Sequence, residues 1–461
     1  MIEKGKAGSI MATQATFPPG PKGLPIIGNL LPFQNDPLNF ITSVQRRYGN
    51  LVAVKVLNGY AICGFSPEHV RYCLMEHPRS FYTTQSQEGS DLRNLLGDGL
   101  LTSEGDFHRQ QRRLVQPAFH RQRIEQYADT MVNYMLETLE GWRAGLEVEM
   151  VRQMQQLTLR IILKTMFNVE DQEQATTLGQ SFNMLIGGGS RKMPWLRGFI
   201  ASLTGRAPKE VQERIAAART QLDTFVYALI QQRRADEQDQ GDILSMLLAA
   251  RDEDTSLSDR QIRDQVMTLI AAGHETAQNS LCWTLYLLAQ HPNVHEKLLA
   301  ELHTVLHGRA PTAKDLAQLP YLDWVVNESW RVYPPAWRLG RRAIEPIELD
   351  GYRFPKGTII LLHEWVTHKL PELWGDPENF RPERWDPEQM QKLPQGAYFP
   401  FGGGPRMCIG MPFAQMEVRL LLATMLQHYN PLIAPNQQIV PLPLVTLRPR
   451  YGMRMILQPV G

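Results

Sequence analysis

The chain has 461 residues, of which 43% are hydrophobic and 21% charged, and its formal net charge is +1. That is the composition of a globular enzyme with a large core, and a near-zero charge removes any global argument for nucleic-acid or membrane binding. The four cysteines, Cys63, Cys73, Cys282 and Cys408, form no CxxC pair, which argues against a structural zinc site or a disulfide framework and fits a reducing compartment.

Met1 to Thr16 is polar and mixed, with no apolar run of signal-peptide or transmembrane type. It is expected to be a disordered leader, and the protein to be cytoplasmic and without a membrane anchor. Order is expected from Phe17-Pro18-Pro19-Gly20-Pro21, a stiff entry segment. Leu51 to Val56 and Tyr60 to Cys63 are β-rich and flank Asn58-Gly59, which predicts a hairpin. From about Phe107 to Leu302 the periodicity is mainly helical.

Within that stretch, His108 to Arg113 continues to Arg121 and Arg123 as a basic run that no acid interrupts. Ser258 and Gln261 form a capping box. Apolar residues then recur at Ile262, Val266, Leu269 and Ile270 and at Leu281, Leu285 and Leu288, and Pro292 ends the pattern. A helix over Asp259 to Gln290 would be about 48 Å long, so its middle must be buried. Tyr321 to Val332 is a further helix stopped by Pro334-Pro335, strand-like pieces follow between Ile347 and Leu362, and a last helix runs from about Pro412 to His428. No Ser/Gly linker divides the chain. The expected fold is one mainly α domain over residues 17–461, with small β-sheets near both ends.

Three segments carry chemistry. In Phe401-Gly402-Gly403-Gly404-Pro405-Arg406-Met407-Cys408-Ile409-Gly410, glycines flank a single cysteine just before the last helix. They let the backbone approach a large flat ligand, and helix N-terminal amides favour a thiolate. Glu328 and Arg331 are spaced to pair on one helix face. Ala271-Ala272-Gly273-His274-Glu275-Thr276 places small residues, an acid and an alcohol halfway along the long helix. There the small side chains open space for a ligand, Thr276 can bond back to a carbonyl, and an acid followed by an alcohol can carry a proton-relay water chain. A zincin site is rejected, because Gln278 stands where HExxH needs its second histidine. Gly402-x-Gly404 is no dinucleotide fingerprint, because Met407 replaces the third glycine.

The pattern Phe-x-x-Gly-x-Arg-x-Cys-x-Gly, with Ala414 and Glu417 downstream, resembles the haem-binding loop of the cytochrome P450 family. The resemblance extends from about Pro18 to Met455. It implies the P450 fold, with haem b between the long helix and the loop, and Cys408 as the iron ligand. It implies a structural brace of Glu328, Arg331 and Arg384, the last from Phe380-Arg381-Pro382-Glu383-Arg384-Trp385. Glu275 and Thr276 become the acid–alcohol pair that delivers protons to dioxygen. Arg112, Arg341 and Arg406 become propionate ligands, with Phe401 and Ala272 also against the cofactor. His108 stands where the family places tryptophan; histidine still donates a hydrogen bond and is carried as a propionate contact.

The resemblance also gives a distal substrate pocket containing Phe81, Tyr82, Leu95, Leu96, Leu101, Ile270, Ala336, Trp337, Leu444 and Val445. Most of these are apolar, which favours an apolar small molecule such as a fatty acid or a terpenoid. The implied activity is monooxygenation. Electrons are expected from a separate ferredoxin- or flavodoxin-type donor docking on the remaining arginines, since no flavin or iron–sulfur segment is present. Two other readings stay open. One is a peroxide-driven peroxygenase or oxygen-independent isomerase, types that usually lack the acid–alcohol pair. The other is a haem-binding sensor or carrier without catalysis.

Overall fold

The computed structural model describes residues 17–57, 59–88, 90–185, 209–236, 240–252 and 255–460. The expected leader, Met1 to Thr16, lies outside the described residues. Seven helices position the site: α1 Gly105–Val115, α2 Ala128–Glu140, α3 Met150–Phe167, α4 Lys209–Ala235, α5 Asp259–Gln290, α6 Pro320–Val332 and α7 Met411–Leu426. The strands that matter are β1 Leu51–Val56, β2 Gly59–Gly64, β3 Phe81–Thr83, β4 Leu339–Ala343, β5 Ile359–Leu362, β6 Pro441–Pro443 and β7 Leu447–Pro449.

Helix α5 forms where its local signals put it. Ser258 accepts from the Gln261 amide while the Gln261 side chain takes the Ser258 amide, which satisfies the first orphan donors. The helix runs unbroken for 32 residues, and most of its side chains are buried. It packs lengthwise on α3 and also against α4, α6 and α7, so it is the axis of the main core. Contact with α3 is close: Thr158 donates to the His274 carbonyl at 3.0 Å. A Cβ on Gly273 would meet Ile162 Cδ1 at 2.7 Å. Gly273 is therefore required by helix–helix approach to α3. Ala272, one of the small residues expected to open space for a ligand, is exposed in the middle of this mostly buried helix.

The principal sheet has strand order β1-β2-β5-β4-β3. β1 and β2 are the expected hairpin, pairing Leu51 with Gly64 through Val56 with Gly59. β5 lies parallel to β2 and antiparallel to β4, with Leu361 opposite both Cys63 and Gly340. Apolar clusters cover both faces of this sheet. A three-stranded sheet joins Glu147–Glu149, Tyr429–Ile433 and Arg454–Pro459. β6 and β7 make a small hairpin beside α5. Among the described residues no helix is long and apolar enough to cross a membrane.

Candidate active site

The loop before α7 is shaped by backbone contact. Gly404 has φ +64°, and a Cβ there would lie 1.8 Å from the Leu74 carbonyl oxygen. Gly403 meets Met75 Cε at 2.8 Å in the same sense. The sequence reading assigned the glycines to ligand approach; at Gly403 and Gly404 they serve close approach to residues 74–75. The loop then closes on itself through the Cys408 amide, which donates to the Phe401 carbonyl at 2.9 Å. Cys408 presents accessible surface, yet surrounding protein pushes its thiol pKa up. Opposing the burial, the amides of Gly410 and Met411 at the start of α7 and the Arg112 guanidinium favour the thiolate.

Glu328, Arg331 and Arg384, which the resemblance groups as a brace, meet in one hydrogen-bonded network. Glu328 and Arg331 are both fully buried and joined by two bonds of 2.8 Å. Arg331 also donates to the carbonyls of His368 and Pro377 at 2.9 and 2.8 Å. Arg384 Nε reaches Glu328 Oε1 at 3.1 Å, and its remaining nitrogens bond the carbonyls of Trp374 and Asp376. Trp385 Nε1 donates to Glu328 Oε2 at 3.0 Å, a fourth member that sequence reasoning missed. From α6, Trp330 packs edge-on against Phe401 at 5.0 Å and so links the brace to the cysteine loop.

A cluster of cations lies near the cysteine. Arg406 pairs with Glu104 at 2.5 Å and also bonds the Ser103 carbonyl. Arg112, Arg341 and His108 all feel its charge. Arg341 is buried, and burial followed by Arg406 lowers its pKa to about 10. Burial, then Arg406 and Arg112, pushes the His108 imidazole down to about 4. Glu104 is the one carboxylate in an ion pair with these residues among those described. Arg341 also feels the buried Glu364 carboxylate.

On α5, Thr276 Oγ1 donates to the Ala272 carbonyl at 2.8 Å, and the helix continues through it. Thr276 is half-buried beside exposed Ala272, whereas Glu275 is buried. Thr446 Oγ1 donates to Glu275 Oε1 at 2.6 Å, and the Arg448 guanidinium pairs with the same oxygen. Arg448, 173 residues away, carried no signal in the sequence.

Of the residues placed in the distal pocket, Leu101 and Val445 are exposed, and Tyr82, Ala336 and Leu444 are half-buried. Phe81, Leu95, Leu96, Ile270 and Trp337 are packed into core. Leu101 follows Leu100, whose amide is bonded to Gln265 of α5 at 3.1 Å. Val445 precedes Thr446, which is bonded to Glu275. Exposed Ala272 lies between those two anchor points. An accessible cysteine beside a guanidinium cluster and an open helix face fit an anionic cofactor held by a thiolate.

Residues 18–453 match the family description Cytochrome P450. Among curated proteins, the chain is 34% identical over 444 residues to cyclooctatin synthase of Streptomyces melanosporofaciens, covering 95% of this chain and 94% of that one. It is 32% identical to pentalenene oxygenase of Streptomyces avermitilis, covering 94% and 96%. Among solved structures, the retinoic acid-bound cyanobacterial CYP120A1 aligns with TM-score 0.84 at 27% identity, covering 97% of this chain and all of that one.

Proposed function

The chain belongs to the cytochrome P450 family and is a monooxygenase, and on that footing we propose that it oxygenates a terpenoid-class molecule, with haem b held by Cys408. The observation that carries this reading is the accessible Cys408 together with the guanidinium cluster and the open Ala272–Thr276 face of α5. Arg112, Arg341, Arg406 and His108 would hold the propionates, and Phe401 would lie beside the thiolate. When bound, the haem supplies dioxygen activation at iron, and a thiolate ligand favours O–O cleavage.

The protein's own residues exclude water and manage protons. Thr276 Oγ1, which donates to the Ala272 carbonyl, is the hydroxyl beside the open face, and Glu275 is the acid that supplies protons there. Leu101, Ala336, Leu444 and Val445 form an apolar wall, which suits a hydrocarbon skeleton. Support for the terpenoid class comes from relatives whose names place them on cyclooctatin and pentalenene. The proposed docking face for an acidic ferredoxin- or flavodoxin-type donor is the pair not assigned to the propionates, Arg109 and Arg113, which line a groove of about 460 Å³ with His120 and Pro405. Four unpaired cysteines accord with a cytoplasmic setting.

The decisive measurement is the absorption spectrum of the reduced protein under carbon monoxide, followed by titration with terpenoid hydrocarbons and fatty acids. A red-shifted band of thiolate ligation and a terpenoid-induced spin-state shift are expected. A histidine-type spectrum would overturn the haem–thiolate reading, and a shift with fatty acids alone would overturn the substrate class.

A further inference from the structure

We propose that Arg448 is a positioning residue for Glu275, and that the β6–β7 hairpin ties the pocket wall at Val445 to the acid beside Thr276. The proposal rests on the reading of Glu275 as the proton-supplying acid. The hairpin is short, with Leu442 opposite Arg448 in register. Val445 stands at its tip with 54% of its surface exposed.

The hairpin's backbone is pinned by two indoles. Trp337 Nε1 donates to the Leu444 carbonyl at 2.8 Å, and Trp283 Nε1 of α5 donates to the Leu447 carbonyl at 2.9 Å. The side chains of Thr446 and Arg448 are held by α5. Asn279 Nδ2 donates to Thr446 Oγ1 at 3.0 Å, Thr446 passes its own proton to Glu275 Oε1, and Arg448 pairs with that oxygen. A single hydroxyl thus receives from one turn of α5 and donates to the turn before it.

Both bonds to Glu275 fall on Oε1, and among the described residues no hydrogen bond is made to Oε2. The carboxylate is therefore clamped by one oxygen while the other stays available to a water or a hydroxyl. That is the arrangement a relay acid needs: a fixed direction with one working oxygen. Without Arg448, Glu275 would be a buried acid with one hydroxyl partner and no counter-ion, a state that buried carboxylates avoid. Val445 lies three residues before Arg448 on the same pinned hairpin, so a substrate resting on Val445 loads the element that holds the acid. Pocket occupancy and acid orientation are then one mechanical unit.

The test uses the haem-loaded protein with a terpenoid ligand that gives a spin-state shift. Arg448→Gln, Arg448→Lys, Glu275→Gln and the double Glu275→Gln/Arg448→Gln variant are compared. Measured are the ligand dissociation constant from the spin-state titration, peroxide released per dioxygen consumed, and the solvent deuterium isotope effect on product formation. Arg448→Gln is expected to lower product per dioxygen by on the order of tenfold, with peroxide making up the difference and a larger isotope effect. Arg448→Lys should recover most of the yield. The double variant should be no worse than Glu275→Gln, and Arg448→Gln and Glu275→Gln should shift ligand affinity in the same direction.

Native coupling and isotope effect in Arg448→Gln would overturn the proposal and leave Arg448 a structural contact. So would losses that multiply in the double variant. If Arg448→Gln fails to incorporate haem, Arg448→Lys carries the comparison: a yield no better than that of Glu275→Gln would count against positioning by charge. Unchanged coupling in Glu275→Gln would instead remove the reading of Glu275 as the acid, and the proposal with it.

Discussion

At the scale of single residues, burial decides which ion pairs matter. Glu328 and Arg331 have no exposed surface, and Glu328 serves both Arg331 and Arg384 as well as the Trp385 indole. Removing its charge strands two buried guanidiniums. Glu328→Gln is therefore expected to destabilise the fold by about 3–5 kcal/mol and to reduce haem incorporation, read from urea unfolding and from the haem-to-protein absorbance ratio. The exposed pair Arg353–Glu348 is the control; Arg353→Gln should change stability by less than about 1 kcal/mol. Equal effects at the two sites would refute the brace. The Glu328–Arg331 spacing was legible from the sequence, but that spacing alone describes a surface pair as well as a buried one. Trp385 could not be assigned because its indole meets Glu328 across 57 residues of chain.

At the scale of elements, the contact between α3 and α5 is set by Gly273. Adding a Cβ brings it within 2.7 Å of Ile162 Cδ1, in a position where Ile162 is buried. Overpacking of this kind costs about 1–3 kcal/mol, against a helix-propensity gain of about 1 kcal/mol. Gly273→Ala is expected to be neutral to moderately destabilising. Ile162→Val removes the obstructing methyl and alone costs about 0.5–1.5 kcal/mol. Together the two substitutions should be more stable than their sum by on the order of 1 kcal/mol, measured as a double-mutant cycle of unfolding free energies. Strict additivity would mean that α3 and α5 part to accept the methyl. The α5 boundaries were legible because capping and periodicity act within a few residues, whereas the role of Gly273 depended on what packs across it.

At the scale of the whole molecule, the core holds histidines that cannot readily charge. Burial lowers the pKa of His295, and it lowers those of His363 and His368 much further, with Arg338 opposing protonation of His363 and Lys369 and Arg331 that of His368. An unfolded histidine titrates near pH 6.5. As the pH falls through that value the unfolded chain takes up protons that the folded chain refuses. The stability is thus fully present above about pH 6.5 and is lost progressively below it. His295→Gln should flatten the acid limb of the stability–pH curve by up to one proton, measured as urea midpoints from pH 7.5 to 5. An unchanged slope would mean that His295 protonates in the folded state.

The sequence by itself determined the elements and the chemistry that short spacing encodes. The capped helix Asp259–Gln290, the β1–β2 hairpin, the Cys408 loop and the neighbouring Glu275 and Thr276 are all built from residues close in the chain, where backbone geometry and periodicity act. Tertiary structure alone decided the partners. It tied Glu275 to Arg448, paired Arg406 with Glu104 within reach of Arg112 and Arg341, and set Gly404 against the Leu74 carbonyl. Such pairings join segments far apart in sequence, so they are set by how helices and sheets stack, and no local propensity records them.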